Sequence, residues 1–332
     1  MINWIYGFVL LLLFVVENVY FKIARKYKIL DVPNSRSSHH TITLRGGGVI
    51  FYLGVLVYGL IFDFFAPWFL CGLTLVACVS FVDDIHPLSA KIRLLAQALS
   101  LVLLLLQWDM FQISWGYALV ALFCGLAILN IYNFMDGING ITGGYSLITV
   151  LALWGVNAFI TQIAPVGFIP VVILSLLVFN FYNFRLHARC FSGDVGAIAM
   201  AFIILYLLGN FIVTTGQLSV LVLLAVYGID GVLTIIHRLL LKENIGQPHR
   251  KHLYQLLANE GKFSHLLVTC IYMGVQAVVN VGYLLVLMCV PEFSIFSLLA
   301  VVVALVIVYL PIRRKYYALW EKNDASAKKN AF

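Results

Sequence analysis

With 332 residues, 63% of them hydrophobic and only 11% charged, and with a mean hydropathy of +1.01, the sequence excludes a soluble globular protein. Its formal charge of +7 suits a topology signal and contact with anionic lipid, not nucleic acid, because no basic face combines with an aromatic platform. Six scattered Cys without a CxxC pair support neither a disulfide framework nor a zinc site.

Apolar runs of about 20 residues read as spanning helices. Eleven are expected, at 2–21, 46–65, 67–82, 94–108, 114–131, 143–162, 165–181, 197–213, 217–236, 265–287 and 293–311. The third and fourth are short, so ten remains open. All 21 Lys and Arg and all eight His fall in alternate loops, while the opposite loops keep only Asp63, Asp109 and Glu292. By the positive-inside rule this places the N-terminus outside and the C-terminus in the cytoplasm. The expected fold is all-α: one polytopic membrane domain over 1–332 with 10–11 transmembrane helices. Its cytoplasmic loops, at about 22–45, 83–93, 132–142, 182–196 and 237–264, form the active face, and a basic tail covers 312–332.

The first of those loops holds Arg36, His39 and Arg45, then Gly46-Gly47-Gly48 opening the second span. A glycine triplet entering a helix either exposes amides to an anion or serves as a hinge. In the second loop, Asp83 and Asp84 end an apolar helix and are followed by Lys91 and Arg93. Adjacent carboxylates repel, and a hard cation or a basic partner relieves them. The third loop places Asn130, Asn133 and Asp136 every three residues on one helix face before Gly137 and Asn139. Polar groups at membrane depth are commonly functional.

The fourth loop offers Arg185, His187, Arg189, Phe191 and Asp194 at the start of the eighth span. Asp194 suits a helix cap as well as a cation site. In the fifth loop, His249 and His252 flank Arg250, and a helical turn would bring the two rings together. With no carboxylate or Cys in that segment, a diphosphate fits better than a metal. Asp230, inside the ninth span, should face the interior and an Arg or His from a neighbour. Glu17, in the first span, reads as structural, with Lys22 and snorkelling accounting for it.

Acidic groups for Mg²⁺, basic groups for phosphate and a site flush with the membrane fit phosphoryl transfer between a soluble donor and a lipid. A cation-coupled transporter is the rival class, but it would place more ionisable groups deep within spans.

These motifs resemble the polyprenyl-phosphate N-acetylhexosamine-1-phosphate transferases. Phe81-Val-Asp83-Asp84 with Lys91 and Arg93, Asn133-Phe-Met-Asp136-Gly-Ile-Asn-Gly, and Phe191-Ser-Gly-Asp194-Val-Gly carry the likeness from Arg45 to His252. The resemblance implies transfer of a sugar phosphate from a UDP-N-acetylhexosamine to undecaprenyl phosphate, with release of UMP, at the cytoplasmic face of a bacterial inner membrane. It implies Mg²⁺ (or Mn²⁺) on Asp194, with Asp136 or Asp83 as further ligands, and Asp83, Asp84 and Asp136 in catalysis. Substrate binding is expected of Arg45, Lys91, Asn133, Asn139, Arg185, Phe191, His249, Arg250 and His252. Many relatives have Asp where this chain has Asn139, so that position is not counted as an acid. The fifth loop resembles members that begin O-antigen or related surface glycans. The phospho-N-acetylmuramoyl-pentapeptide transferase of peptidoglycan synthesis stays as the alternative. The sugar and the oligomeric state, a homodimer included, are left open.

Overall fold

A computed structural model describes residues 3–33, 41–244, 246–247 and 249–330, with side chains between 4 and 323. Arg36 and His39 lie outside the described residues. The chain is an all-α polytopic membrane protein. Its helices are α1 (Asn3–Lys26), α2 (Val49–Ile61), α3 (Pro67–Ile85), α4 (Ala90–Gln107), a one-turn α5 (Met110–Ile113), α6 (Trp115–Met135), α7 (Ile141–Phe159) and α8 (Phe168–Asn183). They continue with α9 (Gly193–Thr215), α10 (Ala225–Leu240) after a 3₁₀ stretch over Leu218–Leu224, a short α11 (Leu253–Asn259), α12 (His265–Cys289) and α13 (Ser294–Asn330).

Each of the eleven expected runs coincides with a helix, and among the described residues nine helices are long and apolar enough to cross a bilayer. The short ones are α2, with 13 residues, and α8, with 16. They are not the two that the sequence singled out. The third run continues as helix through Asp83 and Asp84 to Ile85, and the fourth begins early, where Ser89 accepts the Ile92 N–H at 3.4 Å as an N-cap. The basic tail is also not a separate segment, because α13 runs unbroken past Pro311 to Asn330.

α9 is the axis of the bundle, buried along nearly its whole length, whereas α13 stands at the periphery. α3, α6, α2 and α7 pack around α9. Large apolar side chains such as Leu60, Phe123 and Val278 point outward, where lipid would meet them. Lipid tails give helices no hydrophobic reason to associate, so close approach between small residues matters more. Gly48 and Gly196 supply such a contact, because a β-carbon on either would collide with the Cα of the other.

Loop one is stitched to loop four by backbone. Leu30–Asp31 pairs antiparallel with Thr43–Leu44, and the Phe191 N–H donates to the Leu44 carbonyl at 2.8 Å. Gly47 N–H then donates to Phe191 O at 2.9 Å, and Gly48 N–H to Ser192 O at 3.0 Å. Both amides are therefore spent within the protein. The triplet secures a backbone-to-backbone seam, and this replaces the anion-cradle reading.

Candidate active site

The seam brings the start of α9 against the end of α3, and the electrostatics follow from that meeting. Asp84, its side chain fully enclosed, accepts the Asp194 N–H at 2.9 Å and the Val195 N–H at 3.0 Å. It thereby caps a helix other than its own and satisfies two otherwise orphan amides. Arg45 Nε pairs with Asp84 Oδ1 at 2.7 Å. Gly193 at φ +71° allows the approach, since a β-carbon there would run into the Asp84 carboxylate.

Asp83, one residue earlier, takes the Leu88 N–H at 2.5 Å and Arg93 at 3.3 Å. It is also hydrogen-bonded, side chain to side chain, to Asp194. Arg45 and Arg93 each stand 3.7 Å from Asp194. Two carboxyl groups in direct contact must share a proton or a cation between them. The donor set is therefore hard oxygen, as Mg²⁺ prefers. Among the described residues no three His, Cys, Asp or Glu side chains converge as a complete metal cage. Mg²⁺ does not need one, because it commonly binds one or two carboxylates with substrate phosphates and waters.

A cavity of about 180 Å³ opens beside this cluster. Of the residues expected from sequence, Arg45, Asp136, Asn139, Phe191 and Asp194 line it. Asp136 ends α6, and its Oδ1 accepts the Thr142 hydroxyl at 2.6 Å. Burial pushes the Asp136 carboxyl up to about 7, against the pull of the Thr142 hydrogen bond. Asn139 Nδ2 donates to the carbonyls of Arg185 and Leu186 at 3.0 and 3.1 Å, so it holds loop four in place as well as lining the cavity. Asn133 is half-buried one turn before the end of α6.

The remaining candidates stand apart from the cavity. Lys91 is exposed at the start of α4, where Arg93 and not Lys91 serves the acidic pair. Arg185 turns back on α8, donating to the Phe181 carbonyl at 2.6 Å and lying 4.6 Å over the Phe181 ring. His249, Arg250 and His252 are outside the lining. Residues 249–252 are irregular, and α11 begins after them, yet the two His rings do lie 4.9 Å apart. An extended bend, not a helical turn, brings them together. They adjoin the site through α6: Phe134 stands 6.3 Å from each ring, and Tyr254 donates to the Phe134 carbonyl at 2.8 Å. Burial drives the His249 imidazole down to about 3, so it serves as a neutral hydrogen-bonding ring.

Asp31, Asn183, Ser192 and His265 also line the cavity without having been singled out. Asn183 offered a readable signal as an Asn at an apolar helix end. It accepts the Gly140 N–H at 2.8 Å and donates to the Cys190 carbonyl at 2.8 Å, joining loops three and four. His265 opens α12, and Asn139 N–H lies 3.5 Å from its Nδ1. Nothing in its sequence neighbourhood linked it to the acidic loops. Glu17 does not snorkel: it is buried against Cys190, 3.9 Å from the sulfur.

The glycosyl transferase family 4 model matches residues 66–211, the stretch that carries Asp83, Asp84, Asp136 and the α9 start with Asp194. A probable undecaprenyl-phosphate N-acetylglucosaminyl 1-phosphate transferase of Bacillus subtilis (strain 168) is 30% identical over 291 residues, covering 80% of this chain and 79% of the relative. The chain belongs to the polyprenyl-phosphate N-acetylhexosamine-1-phosphate transferases. Undecaprenyl-phosphate alpha-N-acetylglucosaminyl 1-phosphate transferases of Escherichia coli (strain K12) and Yersinia pestis are each 25% identical to this family member, over 290 and 287 residues. Those matches cover 79% of this chain and 78% of each relative.

Proposed function

We propose that this transferase moves an N-acetylhexosamine-1-phosphate from a UDP-sugar to undecaprenyl phosphate, releasing UMP and leaving a lipid diphosphate sugar. The cavity carries the reading: carboxylates and an arginine converge at one end of apolar helices, where a soluble donor can meet a lipid phosphate. The charge asymmetry of the loops supports a cytoplasmic orientation for that end, and the family resemblance supports a bacterial inner membrane as its setting. The resemblance of loop five supports a role at the start of O-antigen or related surface-glycan synthesis.

Mg²⁺ is the cofactor proposed, and Asp194 with Asp83 would hold it; when bound it supplies charge neutralisation of the diphosphate. The chain's own residues do the rest. Arg45 and Arg93 set the position of Asp194 and lend positive charge beside the transferring phosphate. Asp84 is fully committed to Arg45 and two amides, so its role is helix cap and not proton acceptor. Asp136, cavity-lining and titrating near neutrality, is suited to take the lipid phosphate proton. The deprotonated phosphate then attacks the sugar-bearing phosphorus directly.

Full-length protein in liposomes tests the reading. UMP release from a panel of UDP-N-acetylhexosamines should need both polyprenyl phosphate and Mg²⁺, and should fall at least about 100-fold in Asp194→Asn. No UMP from any donor sinks the reading, and full activity in Asp194→Asn removes that residue as the metal ligand.

A further inference from the structure

Asp230 on α10 has no exposed surface. A carboxylate at such a depth is costly unless it is richly hydrogen-bonded. Its Oδ1 faces His252 Nδ1 at 3.3 Å, accepts the Leu253 N–H at 3.0 Å and accepts the Tyr309 hydroxyl at 2.9 Å. Its Oδ2 accepts the Tyr272 hydroxyl at 2.6 Å and the Tyr254 N–H at 3.4 Å. One side chain thus gathers α10, the start of α11, α12 and α13, and it does so at the end of the His249–His252 bend.

The His252 ring is held on three sides. His249 and Tyr254 lie nearly parallel to it, at 30° and 26°, with centroids 4.9 and 5.9 Å away. Asp230 takes the Nδ1 edge, and the geometry of imidazole directs Nε2 away from that carboxylate. Nε2 is buried and, among the described residues, has no hydrogen-bond partner. Buried polar atoms in folded proteins are nearly always satisfied, so an orphan on a ring so firmly oriented is an atom kept for something else. A carboxylate behind one imidazole nitrogen is a common way to fix what the other presents.

We infer that Asp230 is a positioning residue for a phosphate-bearing ligand. It commits His252 Nδ1 to the protein and reserves Nε2 for a phosphate oxygen. The inference rests on the transferase reading for the identity of that ligand, the donor diphosphate.

Binding of inorganic diphosphate to the purified full chain, measured by calorimetry, tests it without turnover. His252→Gln and Asp230→Asn should each weaken binding by about tenfold or more, and the double variant should lose no more than about twofold beyond His252→Gln alone. Tyr309→Phe removes a different donor to the same carboxylate. It should lower thermal stability but leave diphosphate affinity within about twofold, which a purely structural role of Asp230 would not predict. Additive losses, unchanged binding in Asp230→Asn, or no diphosphate binding by the wild type overturn the inference. Should Asp230→Asn fail to fold, ¹⁵N-histidine spectra of the wild type decide the matter: diphosphate must move the His252 Nε2 resonance, and a stationary Nε2 overturns the proposal. UMP release tests the transferase reading separately, so either can fail alone.

Discussion

Asp84 accepts the backbone N–H of Asp194 at 2.9 Å, across 110 residues of sequence. The residue that faces the cavity is therefore held by a member of the acidic pair at the end of α3 and not by its own helix. Asp84→Asn keeps an acceptor but loses the charge against Arg45 and the α9 amides. Removing one partner of a buried ion pair costs roughly 3–5 kcal/mol. Detergent-purified Asp84→Asn should melt markedly lower and also lose UMP release, whereas Asp194→Asn should lose activity with its melting point little changed. Equal melting points for the two variants would refute the capping role.

Gly48→Ala tests the seam. The added methyl meets Gly196 backbone, which cannot swing aside as a side chain can. Overpacking of this kind costs about 1–3 kcal/mol, and here it also pries α2 from α9 beneath the cavity. Activity should fall more than tenfold. Gly282→Ala, where a β-carbon meets nothing, should behave as wild type in both melting and turnover.

The Asp136 carboxyl, at about 7, sets an expected acid limb. If its ionised form takes the proton, kcat/KM falls tenfold for each pH unit below 7. Stability runs the other way. The folded state binds more protons than the unfolded one between the ordinary aspartate value near 4 and about 7, so stability declines as pH rises through that window, by up to about 1.4 kcal/mol per unit. Asp136→Asn should flatten this melting slope and abolish turnover. A slope unchanged in the variant assigns it to another group.

Lys251 lies 4.6 Å over the Trp320 ring and forms an ion pair with Glu243, so α13 braces loop five. Cation–π contacts are worth about 0.5–2 kcal/mol. Trp320→Ala should raise KM for the UDP-sugar severalfold while kcat holds. A fall in kcat with KM unmoved would place the residue elsewhere in the reaction.

Apolar run length carried most of the fold, because a spanning helix needs little more than about 20 apolar residues. The site was partly legible for a similar reason. Asp136 and Asp194 stand out as carboxylates against an apolar background, and both face the cavity. What the sequence could not convey was which acid serves the ligand and which serves the protein. Asp83 and Asp84 are adjacent and chemically identical, yet one contacts Asp194 and the other caps α9. That division depends on a contact between segments more than 100 residues apart. Glu17 is structural as read, but the reason was not legible, because Lys22 is its neighbour in sequence while in space it faces Cys190. The expectation for Asp230 named the right kind of partner, a His, because a buried carboxylate has few others available.

The 37 residues of α13 amount to about 55 Å of helix at 1.5 Å per residue, against a hydrocarbon core of about 30 Å. The surplus forms a mast, and Trp320 and Tyr317 on that mast stand within cation–π reach of Lys251 of loop five, at 4.6 and 5.9 Å. The loop thus inherits its height above the bilayer from a lipid-immersed rod, while the cavity takes its own height from the central α9. In bilayers of shorter or longer acyl chains the two references tilt differently, so lipid thickness becomes a variable that should tune donor affinity.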